Sequence, residues 1–173
     1  MTETATQDWP KLIFDRLVEA GVSLFAYVPD FGNAKIIEMA DERNDTRSVL
    51  LSTEEEGVAL CCGADLVGER AVLCMQSSGV GNVPNFLSLV KGGRFPMLMI
   101  VTMRGDYGEE NPWQYPMGQA VTPVLEAMGT QVIRVDRTDE LDQAVRAAIG
   151  AAFRAEQSVA LVLSQKFLGA KSF

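Results

Sequence analysis

The stretch Met97-Leu98-Met99-Ile100-Val101-Thr102 constrains the chain more than any other. It is apolar without alternation, so it has no side to offer to water, and it is too short for a typical buried helix. Such a segment belongs in the middle of a sheet covered on both faces. The flanking sequence supplies both the other strands and the cover. Strands are predicted over Val22 to Val28, Ser48 to Leu51, Ala71 to Gln76, Gln131 to Val135 and Val159 to Leu163. Trp9 to Ala20 reads as a helix, with Pro10 in its first turn and Gly21 closing it. Further helices are predicted over Asn33 to Glu42, Thr53 to Val67, Gly81 to Lys91, Thr122 to Met128 and Asp139 to Ala155.

Strands that alternate with helices build a parallel sheet with helices on both faces. The expected fold is therefore α/β: a three-layer α/β/α domain over residues 9–168, with a mainly parallel sheet of roughly six strands. Polar tails flank it at residues 1–8 and 169–173. In such sheets ligands bind beyond the carboxyl ends of the strands. The turns after Val28, Leu51, Gln76 and Thr102 should then share one rim, and function should be sought there.

Composition removes whole classes of chemistry. The chain has no histidine, which excludes imidazole-based triads and the commonest ligand of zinc and non-haem iron. Acid–base work must fall to carboxylates, to lysine or to a bound cofactor. The formal net charge of −8 disfavours nucleic acid and anionic membranes as partners. No apolar run approaches the ~20 residues of a membrane span, and Met1 to Gln7 lacks the order of a signal peptide. A cytoplasmic location is expected. Cys61, Cys62 and Cys74 lie in apolar stretches without Cys-x-x-Cys spacing and read as buried free thiols.

Three segments on the presumed rim carry chemistry. Thr53-Glu54-Glu55-Glu56 opens a helix, where Ser52 or Thr53 can cap and carboxylates complement the dipole. That structural role suffices for Glu55 and Glu56. Glu54 lies nearest the strand end, where a partly desolvated carboxylate suits proton exchange with a heterocycle. Gln76-Ser77-Ser78-Gly79-Val80-Gly81-Asn82-Val83-Pro84 follows a strand and opens a helix, so its amides could face an anion or a polar ring. Pro84 at the third glycine position, and no acid about twenty residues on, exclude a dinucleotide fingerprint. Arg104 to Gly118 is aperiodic, yet it carries Trp113, Tyr115 and Met117, which suits a lid or a subunit contact.

Val28-Pro29-Asp30, Glu54-Glu55-Glu56-Gly57-Val58-Ala59, Met75 to Asn82, and Arg104-Gly105 through Asn111-Pro112, Gln114 and Pro116-Met117-Gly118 occur in this order. Together they resemble the alpha subunit of sulfopyruvate decarboxylase and the matching half of phosphonopyruvate decarboxylase. The resemblance implies a pyrimidine-binding domain of the thiamine diphosphate superfamily, with Glu54 as its catalytic glutamate and Gly63 nine residues on. That glutamate hydrogen-bonds the aminopyrimidine N1′ and favours the imino tautomer, which lets the cofactor act as electron sink. Pro29, Glu54, Gln76, Ser77 and Asn82 are the implied cofactor contacts, and Asp30, Arg104 and Gln114 the implied substrate contacts. No metal ligand is assigned to this chain. The superfamily's Gly-Asp-Gly for diphosphate and Mg²⁺ is missing, since the only Gly-Asp is Gly105-Asp106-Tyr107. A companion subunit should hold that end, within a hetero-oligomer containing more than one copy of each chain.

The expected reaction is decarboxylation of a short 3-substituted pyruvate. Phe31 stands where related sequences tend to have serine, which keeps another 2-oxo acid or carboligation in view. A non-catalytic partner or regulatory module of the same fold is the reading from a different class.

Overall fold

The computed structural model describes residues 8–169. The residue 9–168 domain lies within that span, whereas residues 1–7 and 170–173 of the expected tails lie outside it. Six strands form one sheet: β1 Val22–Tyr27, β2 Arg47–Leu50, β3 Arg70–Gln76, β4 Met97–Thr102, β5 Gln131–Val135 and β6 Ser158–Leu163. The order is β2-β1-β3-β4-β6-β5, and every neighbouring pair is parallel. The helices are α1 Trp9–Glu19, α2 Ala34–Asp41, α3 Glu54–Leu66, α4 Pro84–Gly93, α5 Tyr115–Ala127, α6 Leu141–Phe153 and α7 Gln165–Leu168.

All six residues of β4 are buried, as the unbroken apolar run demands. Its side chains alternate between two cores. Met97, Met99 and Val101 join Leu73 and Met75 of β3 under α3, α4 and α5. Leu98 and Ile100 join Phe25, Cys74 and Leu161 under α1, α2 and α6. The result is the expected three-layer arrangement. The three cysteines are buried free thiols, and burial pushes Cys74 up to about 12, which leaves it inert at neutral pH.

Two helix starts differ from the sequence-based expectation. A 3-10 turn, Ser77–Asn82, precedes α4, so the helix begins at Pro84 rather than Gly81. Helix α5 begins at Tyr115, seven residues before Thr122. Pro116 and Gly118 look like breakers in sequence. Pro116 instead occupies the first turn, where a missing N–H leaves no bond unmade. Pro123 sits inside the helix and removes a single ladder bond. A short last turn, α7, follows β6, with Ser164 Oγ accepting from the Phe167 amide at 3.2 Å.

Leu73 is fully buried in β3 and lies where a side chain at Gly57 of α3 would have to go. Leu73→Ala should therefore leave a cavity that a neighbouring glycine cannot fill. We expect a loss of about 2–5 kcal/mol by urea denaturation, with the fold retained by circular dichroism.

Candidate active site

Because all strands are parallel, the turns after β1, β2, β3 and β4 meet on one edge of the sheet. Glu54 is the first residue of α3, just past β2. Only 7% of it is exposed. Its Oε2 accepts a hydrogen bond from Asn82 Nδ2 at 2.7 Å. Gly79 backs it from the 3-10 turn, and a Cβ at that position would overlap the Glu54 carboxylate. The other two carboxylates of the run do different things. Glu55 is half-buried, and Glu56 is exposed and accepts from the Ser52 amide at 2.8 Å. Thr53 occupies the N-cap without a side-chain bond, so the capping expected of Ser52 or Thr53 is not made, and Glu56 instead ties the Ser52 amide, ahead of the helix, to its first turn.

A second cluster surrounds Asp30. Its Oδ2 accepts from the Asn33 amide at 3.3 Å, from Asn33 Nδ2 at 3.1 Å and from the Thr102 hydroxyl. Its Oδ1 accepts from Gln76 Nε2 at 3.3 Å, and Ser78 Oγ donates to Gln76 Oε1 at 3.1 Å. The turns after β1, β3 and β4 are thereby tied together. Ser77 is fully buried, and its hydroxyl is engaged by the Arg104 backbone, donating to O at 3.1 Å and accepting from N at 2.9 Å.

The third cluster centres on Glu109. Its carboxylate is 0% exposed and makes a two-pronged pair with Arg104, at 2.5 Å from Nε and 2.7 Å from Nη2. It also accepts from the amides of Gly105 and Asn111 and from Gln165 Nε2, at 3.3, 2.9 and 3.0 Å. The Arg104 guanidinium, ahead of the hydrogen bonds from Asn111 and Gln165, holds the Glu109 carboxyl down at about 2, against the opposing effect of burial. Gln165 Oε1 in turn accepts from the amides of Asp106 and Tyr107 at 2.9 and 3.1 Å.

A cleft of about 760 Å³ opens between these clusters, lined by Pro29, Asp30, Phe31, Lys35, Glu38, Gln76, Thr102, Arg104 and Gln165 among others. The structure brings Pro29, Asp30, Gln76 and Arg104 together at this cleft; Glu54 and Asn82 do not line it and pair with each other at the 3-10 turn that follows Gln76. Gln114 does not join them; it is half-buried, and its carbonyl packs against Gly105. Gly79, Thr102, Glu109 and Gln165 were not singled out from sequence. Among the described residues no group of three or more His, Cys, Asp or Glu side chains is placed to hold a metal ion.

Fold and rim define a parallel α/β domain with two nearly buried, hydrogen-bonded glutamates, Glu54 and Glu109, and a cleft lined by Asp30, Gln76 and Arg104 at the same sheet edge. No family model matches the sequence. The chain is 31% identical over 152 residues to sulfopyruvate decarboxylase subunit alpha of Methanococcus maripaludis, covering 87% of this chain and 91% of that protein. It is 33% identical over 134 residues to phosphonopyruvate decarboxylase of Streptomyces viridochromogenes, covering 76% of this chain but 34% of that one. Among solved structures it is similar to 2-oxoglutarate:ferredoxin oxidoreductase from Magnetococcus marinus, with a TM-score of 0.69 at 12% identity, covering 92% of this chain and 29% of that one. That likeness speaks to the fold alone. The chain belongs to the family of sulfopyruvate decarboxylase alpha subunits.

Glu109 yields a test independent of activity. Its folded-state value of about 2 lies below the ordinary 4.5, so its contribution is full above about 4.5 and is lost as pH falls toward 2. Glu109→Gln removes the buried carboxylate paired with the Arg104 guanidinium and should destabilise the chain by about 3–5 kcal/mol at pH 7. Denaturation at pH 7 and pH 3 should show the gap between wild type and variant narrowing at the lower pH.

Proposed function

We propose that this chain is the pyrimidine-binding subunit of a two-subunit, thiamine-diphosphate-dependent decarboxylase acting on a short 3-substituted pyruvate. Glu54 carries the reading. It is an acid on the ligand rim that is nearly buried, and it is held by Asn82 and walled by Gly79 although neither is needed to start a helix. The residues present fit an aminopyrimidine: the Glu54 carboxyl for the ring nitrogen, the Asn82 and Gln76 amides for polar edges, and Pro29 as an apolar surface. Bound there, thiamine diphosphate would supply an electron sink for the carbon that loses carbon dioxide.

The chain's own residues supply orientation and a proton. Glu54 holds or releases a proton at the ring nitrogen N1′, and its low exposure keeps water from competing for that site. Asn82 keeps the carboxylate in one position. Asp30, fixed by Asn33, Thr102 and Gln76, lines the cleft on the substrate side together with Arg104. The charge of Arg104 is already matched by Glu109, and Asp30 and Glu38 line the same cleft. We therefore assign the groups that receive the diphosphate, Mg²⁺ and the acid's own charges chiefly to the companion subunit. The coverage of the Streptomyces relative supports this division, since the chain matches only 34% of that protein. Phe31, 86% exposed at the lip of the cleft, favours as second reading a different 2-oxo acid or carboligation with the same cofactor. Among the described residues no helix is long and apolar enough to cross a membrane, and we propose a cytoplasmic enzyme.

In the assembled enzyme, Glu54→Gln should cut turnover by about 10²–10⁴-fold while the fold survives. Glu55→Gln and Glu56→Gln should lose no more than the ~0.3–1 kcal/mol of a helix-dipole carboxylate. Wild-type exchange of the cofactor C2 proton in Glu54→Gln would remove the assignment.

Calorimetry provides a second test. The isolated chain should bind thiamine diphosphate weakly with or without Mg²⁺, and tight Mg²⁺-dependent binding to it alone would overturn the two-subunit reading.

A further inference from the structure

The segment between β4 and α5 carries a knuckle of exposed apolar residues: Pro112, Trp113, Tyr115 and Pro116. Trp113 is 86% exposed, an unusual position for the largest side chain a protein has. A lid would explain it if the segment could swing, but its base is tied down. Glu109 binds Arg104, Gly105, Asn111 and Gln165 from a fully buried position. Tyr115 Oη donates to the Glu109 carbonyl at 2.6 Å, and Gln119 Nε2 donates to the Gly105 carbonyl at 2.9 Å. Asn111 Oδ1 accepts from the Trp113 amide at 3.1 Å, which fixes the short 3-10 turn Pro112–Gln114. Gly105, at φ +76°, and Gly118 let the two backbone strands of the loop approach so closely that a Cβ on either would overlap the other. Swinging the segment would strand a buried carboxylate.

An exposed aromatic on a preorganised base is what a binding anchor requires, because little freedom is lost when it docks. The knuckle is also continuous with the candidate cofactor site. Met117, one residue past Pro116, packs against Gly81 in the same 3-10 turn that carries Gly79 and Asn82 to Glu54. The knuckle thus stands next to the turn that walls the candidate cofactor site. We propose that Trp113 is the central anchor of the contact with the companion subunit that holds the diphosphate end, a fixed docking point and not a lid. The inference rests on the two-subunit reading and names the part of this chain that its partner grips.

The chain has two tryptophans, and the other, Trp9, stacks edge-on against Phe167 at 5.8 Å. Trp9→Phe therefore leaves Trp113 as the single fluorescent reporter. On titration with the purified companion chain, its emission should move to shorter wavelength and become shielded from iodide quenching. Trp113→Ala should weaken assembly by about 30-fold or more, with Trp113→Phe intermediate and with the unfolding midpoint of the free chain unchanged. A complex that forms while Trp113 stays quenchable overturns the inference and leaves the two-subunit reading intact. Wild-type assembly by Trp113→Ala does the same. A shift that depends on the chain's own concentration, without the companion, assigns the knuckle to a second copy and also overturns it. A wild-type chain that never binds the companion removes the two-subunit reading and the anchor with it.

Discussion

Parallel pairing is the constraint on which the rest of the molecule depends. A parallel strand must return by a crossover, so each β-strand is followed by a turn at the same edge of the sheet. Four such turns bring residues 30, 54, 76 and 104 onto one rim, although they are scattered across more than seventy positions of sequence. The strand order reverses beside β1, with β2 on one side and β3 on the other. That reversal parts the turns after β1 and β3, and Asp30 and Gln76 face each other across the gap. The site is thus a consequence of topology before it is a consequence of any particular side chain.

Topology delivers the turns to one place but does not hold them there. That work falls to buried and half-buried polar groups, each shared between two or more elements. The Asp30 carboxylate joins the ends of β1, β3 and β4, the Ser77 hydroxyl joins the 3-10 turn to Arg104, and the Glu109 carboxylate joins the long loop to α7 through Gln165. A carboxylate withdrawn from water is tolerable only when its oxygens are filled with donors, and those of half-buried Asp30 and buried Glu109 are. The same condition explains why the Arg104 charge is spent within the chain. A guanidinium bound on two prongs to Glu109 is a brace for the loop first.

The sheet, its layers and the location of the rim were legible because they depend on local periodicity. Unbroken apolar runs mark buried strands, and β4 falls where the pattern puts it, while the partly exposed edge strand β5 also keeps its expected bounds. What escaped depends on partners distant in sequence. Pro116 and Gly118 read as breakers because nothing local reveals that a helix begins at Tyr115. Glu109-Glu110 looks like a solvated acidic pair, but only Glu110 is exposed, and the burial of Glu109 follows only once Gln165, 56 residues later, closes over it. Gly79 offers the same lesson: in sequence it is half of a weak Gly-x-Gly, and in space it is the wall behind Glu54.

The three consecutive glutamates show how one turn of helix separates function from support. Successive residues of an α-helix point about 100° apart, so a run of three cannot share one environment. With Gly57 and Val58 of α3 packed against the sheet, the first residue of the helix is directed inward under the 3-10 turn. The third is directed outward, where it can turn back to cap the Ser52 amide. If Gly79 carried any side chain, the inward position would be filled and Glu54 would have to leave it. The glycine and Asn82 therefore do for Glu54 what the helix geometry alone cannot. They turn an inward-pointing acid, otherwise an electrostatic cost, into a carboxylate with one fixed partner on Oε2 and the glycine backbone beside Oε1.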